Sequence, residues 1–253
     1  MIITMRRMYM KKRMVMATLV TASCLTPIAL LSVQQLKVSP VNKKACEYAG
    51  NMHPANGAMQ LELLKREGLQ PHHYVYEVGC GALMAGIPIM DYLQKGHYVA
   101  VEPNPWQIEA TMSIAENRAV VERSEPQFFY NEEFDVAGCG VKFDYILAHS
   151  IMSHAPLWQL QLFFEKCSKV LNDGGKVIFS IRLTEPNPFS DLSTQPESTT
   201  REWQYPGNTF FKKSTVEREA LRWFSSVELK PEFTGVIVSA DRTAFHDWFV
   251  LTK

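Results

Sequence analysis

Two glycines flanked by two acidic residues form the part of this sequence whose residue types and spacing are best suited to chemistry. Gly79 and Gly81 follow an apolar stretch, and Glu102 lies 21 residues beyond Gly81, directly after a second apolar stretch. Glycine allows a sharp turn and a close approach of backbone to ligand, because it has no Cβ. At the tip of a second strand, Glu102 can accept hydrogen bonds from a ribose diol. This layout predicts a nucleotide-type cofactor site in a doubly wound α/β fold.

Glu77, two positions before Gly79, bears on which cofactor binds. The dinucleotide fingerprint Gly-x-Gly-x-x-Gly places a third glycine where this chain has Met84. The turn therefore does not match the motif that binds a pyrophosphate. A carboxylate at the mouth of the turn repels phosphate but suits an ammonium group. S-adenosylmethionine carries that ammonium group and also a ribose for Glu102. The residues therefore favour S-adenosylmethionine, and an NAD-dependent oxidoreductase is the rival from another enzyme class.

The turn also resembles the first motif of the class I S-adenosylmethionine-dependent methyltransferases, acidic-x-Gly-x-Gly-x-Gly, whose second motif is an acidic residue at the end of strand two. The matching residues are Glu77, Gly79, Gly81 and Glu102. Leu83 stands where the family has its third glycine, and Gly86 follows three residues later. The longer string Gly-Cys-Gly-x-Leu-x-x-Gly is similar to one bacterial-type subgroup of that superfamily. The resemblance covers residues 58–253 and is strongest from 74 to 182.

This resemblance implies methyl transfer from S-adenosylmethionine, and it gives cofactor-binding roles to residues that follow the predicted strands. These residues are Glu77, Gly79, Cys80, Gly81, Gly86, Glu102, Asn104, Asn131, His149 and Ser150. Cys80 is expected to face the cofactor with its backbone rather than its thiol. Near the adenine, Asn131 or Glu132 would accept from the amino group and Phe134 would stack on the ring. The alternative for this stretch is a solvated acidic loop with one core phenylalanine.

His154 is the candidate catalytic residue. It follows the predicted fourth strand, and the ordinary pKa of histidine near neutrality suits a general base for a hydroxyl or carboxyl acceptor. The alternative role for His154 is to cap the next helix or to pack against the loop. His149 lies five residues before it, which is not a metal-ligand spacing on a helix, and the five cysteines show none either. The sequence therefore predicts no metal site.

The rest of the pattern predicts strands that alternate with helices. Predicted strands cover residues 73–78, 98–102, 127–130, 143–148, 176–181, 226–238 and 245–252. Predicted helices cover residues 58–68, the segment from the turn to 94, and residues 105–117, 156–171 and 214–224. This alternation predicts a doubly wound, mostly parallel seven-stranded sheet with helices on both faces. The resemblance implies a Rossmann-like methyltransferase fold, in which the last strand is antiparallel and lies beside strand six.

A long segment rich in Pro, Ser and Thr, residues 184–209, interrupts this alternation. A loop of this length inside a domain is commonly functional or disordered. We expect it to be a lid over the substrate, with Trp203 and Tyr205 as wall residues.

The N-terminal segment is first basic and then uncharged. Five Lys or Arg residues within residues 6–13 precede a run of which residues 14–33 are just long enough to span a bilayer as a helix. We expect residues 1–35 to be a hydrophobic signal anchor in contact with a membrane, followed by a linker at 36–57 and a methyltransferase domain at 58–253. The alternatives are a cleaved signal or organelle-targeting peptide and a buried or disordered extension. Because Lys or Arg residues lie on both sides of this uncharged run, the charges do not predict on which side of the membrane the domain lies.

Charge is unevenly distributed along the chain although its net value is zero. Residues 1–46 hold eight Lys or Arg and no acidic residue, which leaves 18 basic against 26 acidic residues in the remainder. Such an acidic domain disfavours nucleic acid as a partner, because nucleic-acid binding normally requires a basic face. The sequence therefore favours a small-molecule acceptor, with a protein or lipid-linked acceptor as the alternatives. A non-enzymatic function is the other alternative, in which an inactive methyltransferase-like domain acts as a tethered binding module.

Overall fold

Strand β1 (Val75–Val78) lies at the centre of the sheet, and all four of its side chains are buried. Burial on both faces is typical of a central parallel strand covered by helices on each side. The structure is a computed structural model that describes residues 39–40, 42–48, 55–184, 209–233 and 246–253. These residues all belong to one compact unit that spans Lys37–Lys253.

Helices and strands alternate after β1 as the sequence predicts. Two helices precede it, α1 (Lys43–Tyr48) and α2 (Ala55–Arg66). The elements that follow are α3 (Gly86–Tyr92), β2 (Tyr98–Val101), α4 (Pro105–Met112), α5 (Ala115–Ser124), β3 (Gln127–Phe129), β4 (Phe143–Ala148), α6 (Leu157–Val170), β5 (Leu171–Ile181), α7 (Lys213–Ala220), β6 (Ser226–Leu229), a 3-10 turn (Pro231–Phe233) and β7 (Asp247–Thr252).

The sheet has seven strands in the order β3-β2-β1-β4-β5-β7-β6. In the register, Val75 of β1 lies between Tyr98 of β2 and Tyr145 of β4, and these pairs are parallel. Strand β7 is antiparallel to both of its neighbours, β5 and β6. The predicted mostly parallel sheet with an antiparallel last strand beside strand six is therefore confirmed. The chain reverses its direction of winding between β1 and β4, where ligands bind in open α/β sheets.

Alternating strand residues face two separate cores. On one face, Tyr76, Ile146 and Phe179 pack with α6 and α7 in a cluster rich in phenylalanine. On the other face, Val75 and Leu147 pack with α2, α3 and α5. Helices on both faces hold the carboxyl ends of the parallel strands in a fixed arrangement.

Helix α2 lies against the loop that follows β1. Its buried residues include Gly57 and Gln60, and an ideal Cβ on Gly57 would lie only 1.8 Å from the backbone oxygen of Met84. Only glycine allows helix and loop backbones to approach so closely. Helix α2 begins at Ala55, three residues before the predicted start at residue 58. The predicted linker at 36–57 is helical in part, since it contains α1 and the start of α2.

The predicted helix at 105–117 is two helices in the structure, because the chain leaves the helical conformation at Ile114 (φ −92°, ψ 121°). The Ser113 hydroxyl donates to the Ala110 carbonyl at 2.6 Å, and Arg118 Nε donates to the Met112 carbonyl at 2.9 Å. These bonds satisfy carbonyl groups that the end of α4 leaves without helical partners.

Other boundaries differ from the predicted ones by a few residues. Strand β5 begins at Leu171, directly after α6, with a register irregularity before Lys176. Strand β6 ends at Leu229 instead of continuing to 238. The lid predicted at 184–209 lies outside the described residues except for Thr184 and Thr209 at its ends. The membrane segment predicted at 14–33 lies entirely outside them. Within the described part of the chain, no helix is long and apolar enough to cross a bilayer.

Candidate functional site

The loop after β1 turns sharply at its two glycines. Gly79 has a φ of +66° and Gly81 a φ of +50°, a region that residues with a Cβ rarely adopt. An ideal Cβ on Gly79 would lie 2.2 Å from Ile151 Cδ1. The backbone N–H groups of Gly79 and Cys80 both donate to the Val101 carbonyl, at 2.8 and 3.2 Å. These two donors are therefore occupied within the protein, which does not favour a pyrophosphate at this turn.

Leu83, at the third motif position, also has a left-handed backbone, with a φ of 53°. A residue with a Cβ pays about 1–2 kcal/mol for that conformation. The Leu83 side chain is fully buried in the core that contains α3, and this burial offsets the strain. The departure from the family motif therefore leaves a left-handed turn in place.

Glu102 follows β2 and is held by four hydrogen-bond donors. Its Oε2 accepts from the backbone N–H of Gly81 at 3.0 Å. Its Oε1 accepts from the backbone N–H and the side-chain amide of Asn104, at 2.9 and 3.1 Å, and from the Gln107 amide at 3.2 Å. Only 4% of the residue is exposed. The carboxylate is therefore fixed in orientation at the edge of the glycine turn.

Glu77 is buried beneath the same turn, where its Oε2 accepts a hydrogen bond from the Tyr98 hydroxyl. Burial raises the pKa of Glu77 to about 7; the Tyr98 hydrogen bond opposes this shift, and the charge of Glu102 adds to it. An ideal Cβ on Gly86 would lie 2.6 Å from the Tyr98 hydroxyl oxygen. Gly86 therefore gives Tyr98 the space to reach Glu77.

A cavity of about 460 Å³ opens beside these residues. It lies at the carboxyl ends of β1, β2, β3 and β4, and helices α1, α2, α4 and α6 contribute one residue each. Its lining includes Tyr48, Gln60, Glu77, Gly79, Cys80, Gly81, Glu102, Asn104, Gln107, Asn131, Glu132, Phe134, His149, Ser150, Ile151, His154 and Gln159. The predicted cofactor-binding and catalytic residues all line this cavity except Gly86, which lies against the Tyr98 hydroxyl. The predicted wall residues Trp203 and Tyr205 lie outside the described residues.

The loop after β3 reaches the cavity, but Asn131 uses its side chain to shape that loop. The amide Nδ2 donates to the Asp135 carbonyl at 2.8 Å, and Oδ1 accepts from the N–H groups of Glu133 and Asp135. The oxygen and the nitrogen of this amide are thus both engaged locally, and the contact of Asn131 with an adenine amino group stays a prediction. Phe134 lines the cavity while packing edge-on against Phe163 of α6.

The segment after β4 brings two histidines to the cavity. The His149 ring stacks on Trp248 of β7, with centroids 5.3 Å apart and an interplanar angle of 4°. Burial, with a smaller contribution from the charge of His154, lowers the pKa of His149 to about 3. The ring of His149 is therefore neutral at physiological pH. His154 lines the same cavity, and its role toward the acceptor stays a prediction.

Ser150 holds this segment in an unusual backbone conformation, with a φ of 60°. Its N–H donates to the Ser180 hydroxyl oxygen at 2.8 Å, and that hydroxyl also bonds Nδ1 of His246 at 2.9 Å. Strained residues that are fixed in this way often occur at functional sites. The contacts secure the path of the chain from His149 to His154.

Sequence reasoning missed four polar residues of the lining: Tyr48, Gln60, Gln107 and Gln159. Tyr48 packs edge-on against Trp106, with centroids 5.2 Å apart. Gln60 is 3% exposed, and its Oε1 has no hydrogen-bond partner. A glutamine between the apolar positions Met59 and Leu63 is a signal for such a buried polar contact, whereas Tyr48 lies in a stretch without periodicity.

Comparison with known protein families and with solved structures also indicates a methyltransferase domain. A family model described as a methyltransferase domain matches residues 76–177. Among solved structures, the chain is similar to the magnesium protoporphyrin IX methyltransferase of Synechocystis PCC 6803 with bound SAM, at 13% identity and a TM-score of 0.52, over 79% of this chain and 81% of that chain. No curated protein sequence matches the chain.

Two further solved structures share the fold. One is an S-adenosylmethionine-dependent methyltransferase from Clostridium acetobutylicum ATCC 824, at 11% identity and a TM-score of 0.54, over 78% of this chain and 89% of that chain. The other is DhpI in complex with SAH, at 14% identity and a TM-score of 0.55, over 83% of this chain and 91% of that chain. Residues 76–177 therefore match a methyltransferase domain, and the seven-stranded sheet has the fold that these solved structures share.

Proposed function

We propose that this methyltransferase uses S-adenosylmethionine to methylate a small molecule that binds between the glycine turn and the segment after β4. The observation that carries the proposal is one cavity that is lined both by the buried carboxylates Glu77 and Glu102 and by His149 and His154 of the segment after β4. Its volume of about 460 Å³ lies within the range of small-molecule sites, about 300–1,000 Å³.

Glu102 is the proposed ribose ligand. A carboxylate offers about four lone-pair sites, and the four donors from Gly81, Asn104 and Gln107 use them. Two of these donors are side-chain amides that can rotate. Two ribose hydroxyls would replace them, while the backbone donors of Gly81 and Asn104 keep the carboxylate in place. This exchange keeps the acceptor sites of the buried Glu102 carboxylate occupied when the cofactor binds.

Glu77 is proposed to favour the positive charge of the cofactor. A buried carboxyl group with a pKa near 7 loses its proton more readily when a cation lies beside it. The ammonium group and the sulfonium of S-adenosylmethionine supply such charge, so binding and ionisation of Glu77 support each other. A dinucleotide pyrophosphate would instead be repelled by both carboxylates.

Methyl transfer from a sulfonium is a displacement in which the donor is already activated. The protein then contributes mainly alignment and exclusion of water. The fixed segment from His149 to His154 provides the surface on which an acceptor can be aligned against the methyl group. We propose His154 as the group that contacts the acceptor, since it lines the cavity and lies at the end of this segment.

Calorimetric titration of the full chain with S-adenosylmethionine, S-adenosylhomocysteine and NAD tests the cofactor assignment. We expect micromolar binding of the first two and no binding of NAD. Binding of NAD alone would overturn the assignment. Binding of the first two without turnover on a broad panel of acceptors would favour the inactive binding module over the enzyme.

We also propose that residues 14–33 attach the domain to a membrane. The support is the 20-residue uncharged run that follows five basic residues. Fractionation of cells that express the full chain, or a chain without residues 1–36, tests this. The full chain should remain with membranes after a carbonate wash and the shortened chain should not. Recovery of both chains in the supernatant would overturn the proposal.

A further inference from the structure

Helix α1 contributes an aromatic ring to one end of the cavity. Tyr48, its last residue, lines the cavity and lies edge-on to Trp106, with ring centroids 5.2 Å apart and an interplanar angle of 84°. Trp106 is the second residue of α4, the helix that follows Glu102. The next residue, Gln107, donates to the Glu102 carboxylate. The contact with Trp106 therefore places Tyr48 at the end of the cavity where Glu102 lies.

Helix α1 is attached to the rest of the domain by contacts before and within it. Ahead of the helix, the Pro40 carbonyl accepts a hydrogen bond from Asn117 Nδ2 of α5 at 2.9 Å. Within the helix, Ala45 is fully buried, and Lys44 Nζ lies 5.3 Å from the ring centroid of Trp106, a distance that suits a cation–π contact. These contacts hold the last residue of α1 at the cavity.

The Tyr48 ring has surface that a ligand can contact. Among the described lining residues, Tyr48 and Phe134 carry the phenyl-type rings. Tyr48 is 43% exposed, whereas Phe134 is 6% exposed and packs edge-on against Phe163. An edge-on contact with Trp106 engages at most one face of the Tyr48 ring. Tyr48 is therefore better placed than Phe134 to stack on a flat ligand.

We propose that Tyr48 stacks on the adenine of S-adenosylmethionine, so that helix α1 forms part of the cofactor site. The inference rests on the proposed function, because it requires Glu102 to hold the ribose. In adenosine the base is attached to the ribose carbon beside the 2′-hydroxyl. A ribose diol bound to Glu102 therefore brings the base to the end of the cavity that Tyr48 lines. A tyrosine ring suits this task, because every base has a π-face on which an aromatic ring can stack.

The proposal extends the functional domain toward the N-terminus. The family match begins at residue 76, and the sequence predicts that the domain begins at residue 58. Helix α1 (Lys43–Tyr48) precedes both positions and falls in the segment that was predicted to be a linker. That segment would then have a binding function and would not serve only to connect the N-terminal residues to the sheet.

Titration of the full chain with S-adenosylhomocysteine and with 5′-methylthioadenosine tests this inference. Both ligands carry the adenosine, and only the first carries the amino acid. Tyr48→Leu keeps an apolar side chain that can pack on Trp106 but removes the ring. It should weaken both ligands by the same factor, about tenfold, the size expected of one lost base–aromatic stack. Tyr48→Phe keeps the ring and should bind both ligands within about threefold of the wild type.

An exposed ring away from the site provides the matched control. Trp223 is 40% exposed and is outside the described lining of the cavity, so Trp223→Leu should bind both ligands as the wild type does. Hydrogen exchange gives a second measurement on the unmodified full chain. Addition of S-adenosylhomocysteine should slow the exchange of the backbone amides at the end of α1, because the ligand would be held against Tyr48.

The outcomes are separable from those of the cofactor assignment. Failure of S-adenosylhomocysteine to bind to the wild type would overturn the proposed function itself. With normal binding by the wild type, equal affinity in Tyr48→Leu would overturn the Tyr48 contact alone. A loss in Tyr48→Phe as large as in Tyr48→Leu would also overturn it. The same holds for a loss that 5′-methylthioadenosine does not share, for no binding of that ligand to the wild type at millimolar concentration, and for unchanged exchange in α1.

Discussion

The backbone N–H of Gly81 donates a 3.0 Å hydrogen bond to the Oε2 atom of Glu102. The bond joins the glycine turn after β1 directly to the end of β2. Two residues that are 21 positions apart in the sequence therefore form one structural unit, and the position of the carboxylate depends on the path of the turn.

Replacing Glu102 by glutamine should weaken the binding of S-adenosylhomocysteine by about 1–3 kcal/mol, the range for a lost charged hydrogen-bond acceptor. The amide that replaces the carboxylate also places an NH₂ group against donors such as Gln107. Calorimetric titration measures the effect. Glu109→Gln, on the exposed side of α4, is the matched control and should bind as the wild type does. Equal affinity in both variants would contradict the role of Glu102.

Replacing Gly79 by alanine should strongly weaken cofactor binding, because the new Cβ would lie 2.2 Å from Ile151 Cδ1 and 2.7 Å from its Cγ1, so that the turn or the Ile151 side chain in the cavity lining must shift. Gly96→Ala separates this effect from backbone strain. Gly96 has a similar φ of +78°, but no atom lies within 4 Å of its ideal Cβ. Both variants should lose about 1 kcal/mol of stability from strain, measured by urea denaturation. Only Gly79→Ala should lose binding, and retained binding would mean that the turn does not contact the ligand.

The sequence was sufficient to predict the sheet and most of the lining because both follow from local rules. Apolar strands, glycines that need a positive φ, and an acidic residue at a strand end are all visible along the chain. Gln60 and Tyr48 were missed because they reach the cavity through packing of α1 and α2 against distant segments. Gly86 was given a ligand role from its position in a motif, and Asn131 from its position after the third predicted strand. Their surroundings show that Gly86 makes space for Tyr98 and that Asn131 shapes its own loop.

Replacing Gly57 by alanine should destabilise the protein, although the same change in a solvent-exposed helix stabilises by about 1 kcal/mol. The ideal Cβ would lie 1.8 Å from the Met84 backbone oxygen, so α2 must move away from the glycine turn. That movement displaces Gln60 from the cavity and should also weaken the binding of S-adenosylhomocysteine. Thermal denaturation with and without this ligand measures both effects. An increase in Tm would show that the close contact of α2 with the turn is not required.

Replacing Glu77 by glutamine should change the dependence of cofactor affinity on pH. The pKa of Glu77 is about 7 in the folded protein, so the carboxyl group is mostly protonated at pH 6 and increasingly ionised at pH 7.5. The cationic S-adenosylmethionine prefers the ionised form, and wild-type affinity should therefore rise over this interval. Glu77→Gln should bind more weakly, with an affinity that changes little between pH 6 and 7.5. Parallel curves for the two proteins, obtained by calorimetry, would contradict the proposed contact.

The same substitution should stabilise the protein without ligand at alkaline pH. The folded-state pKa of Glu77, about 7, is above its ordinary value of 4.5, so the folded state binds this proton more tightly than the unfolded state does. The stability that the folded protein gains from this tighter proton binding is fully present below pH 4.5 and is lost as the pH rises through 7. Its upper limit is about 3 kcal/mol, since each pKa unit corresponds to about 1.4 kcal/mol. Urea denaturation at pH 5 and pH 8 should show similar stabilities for wild type and Glu77→Gln at pH 5 and a more stable variant at pH 8. A variant that is less stable at pH 8 would show that ionised Glu77 is better compensated by its surroundings than its burial and its contact with Tyr98 indicate.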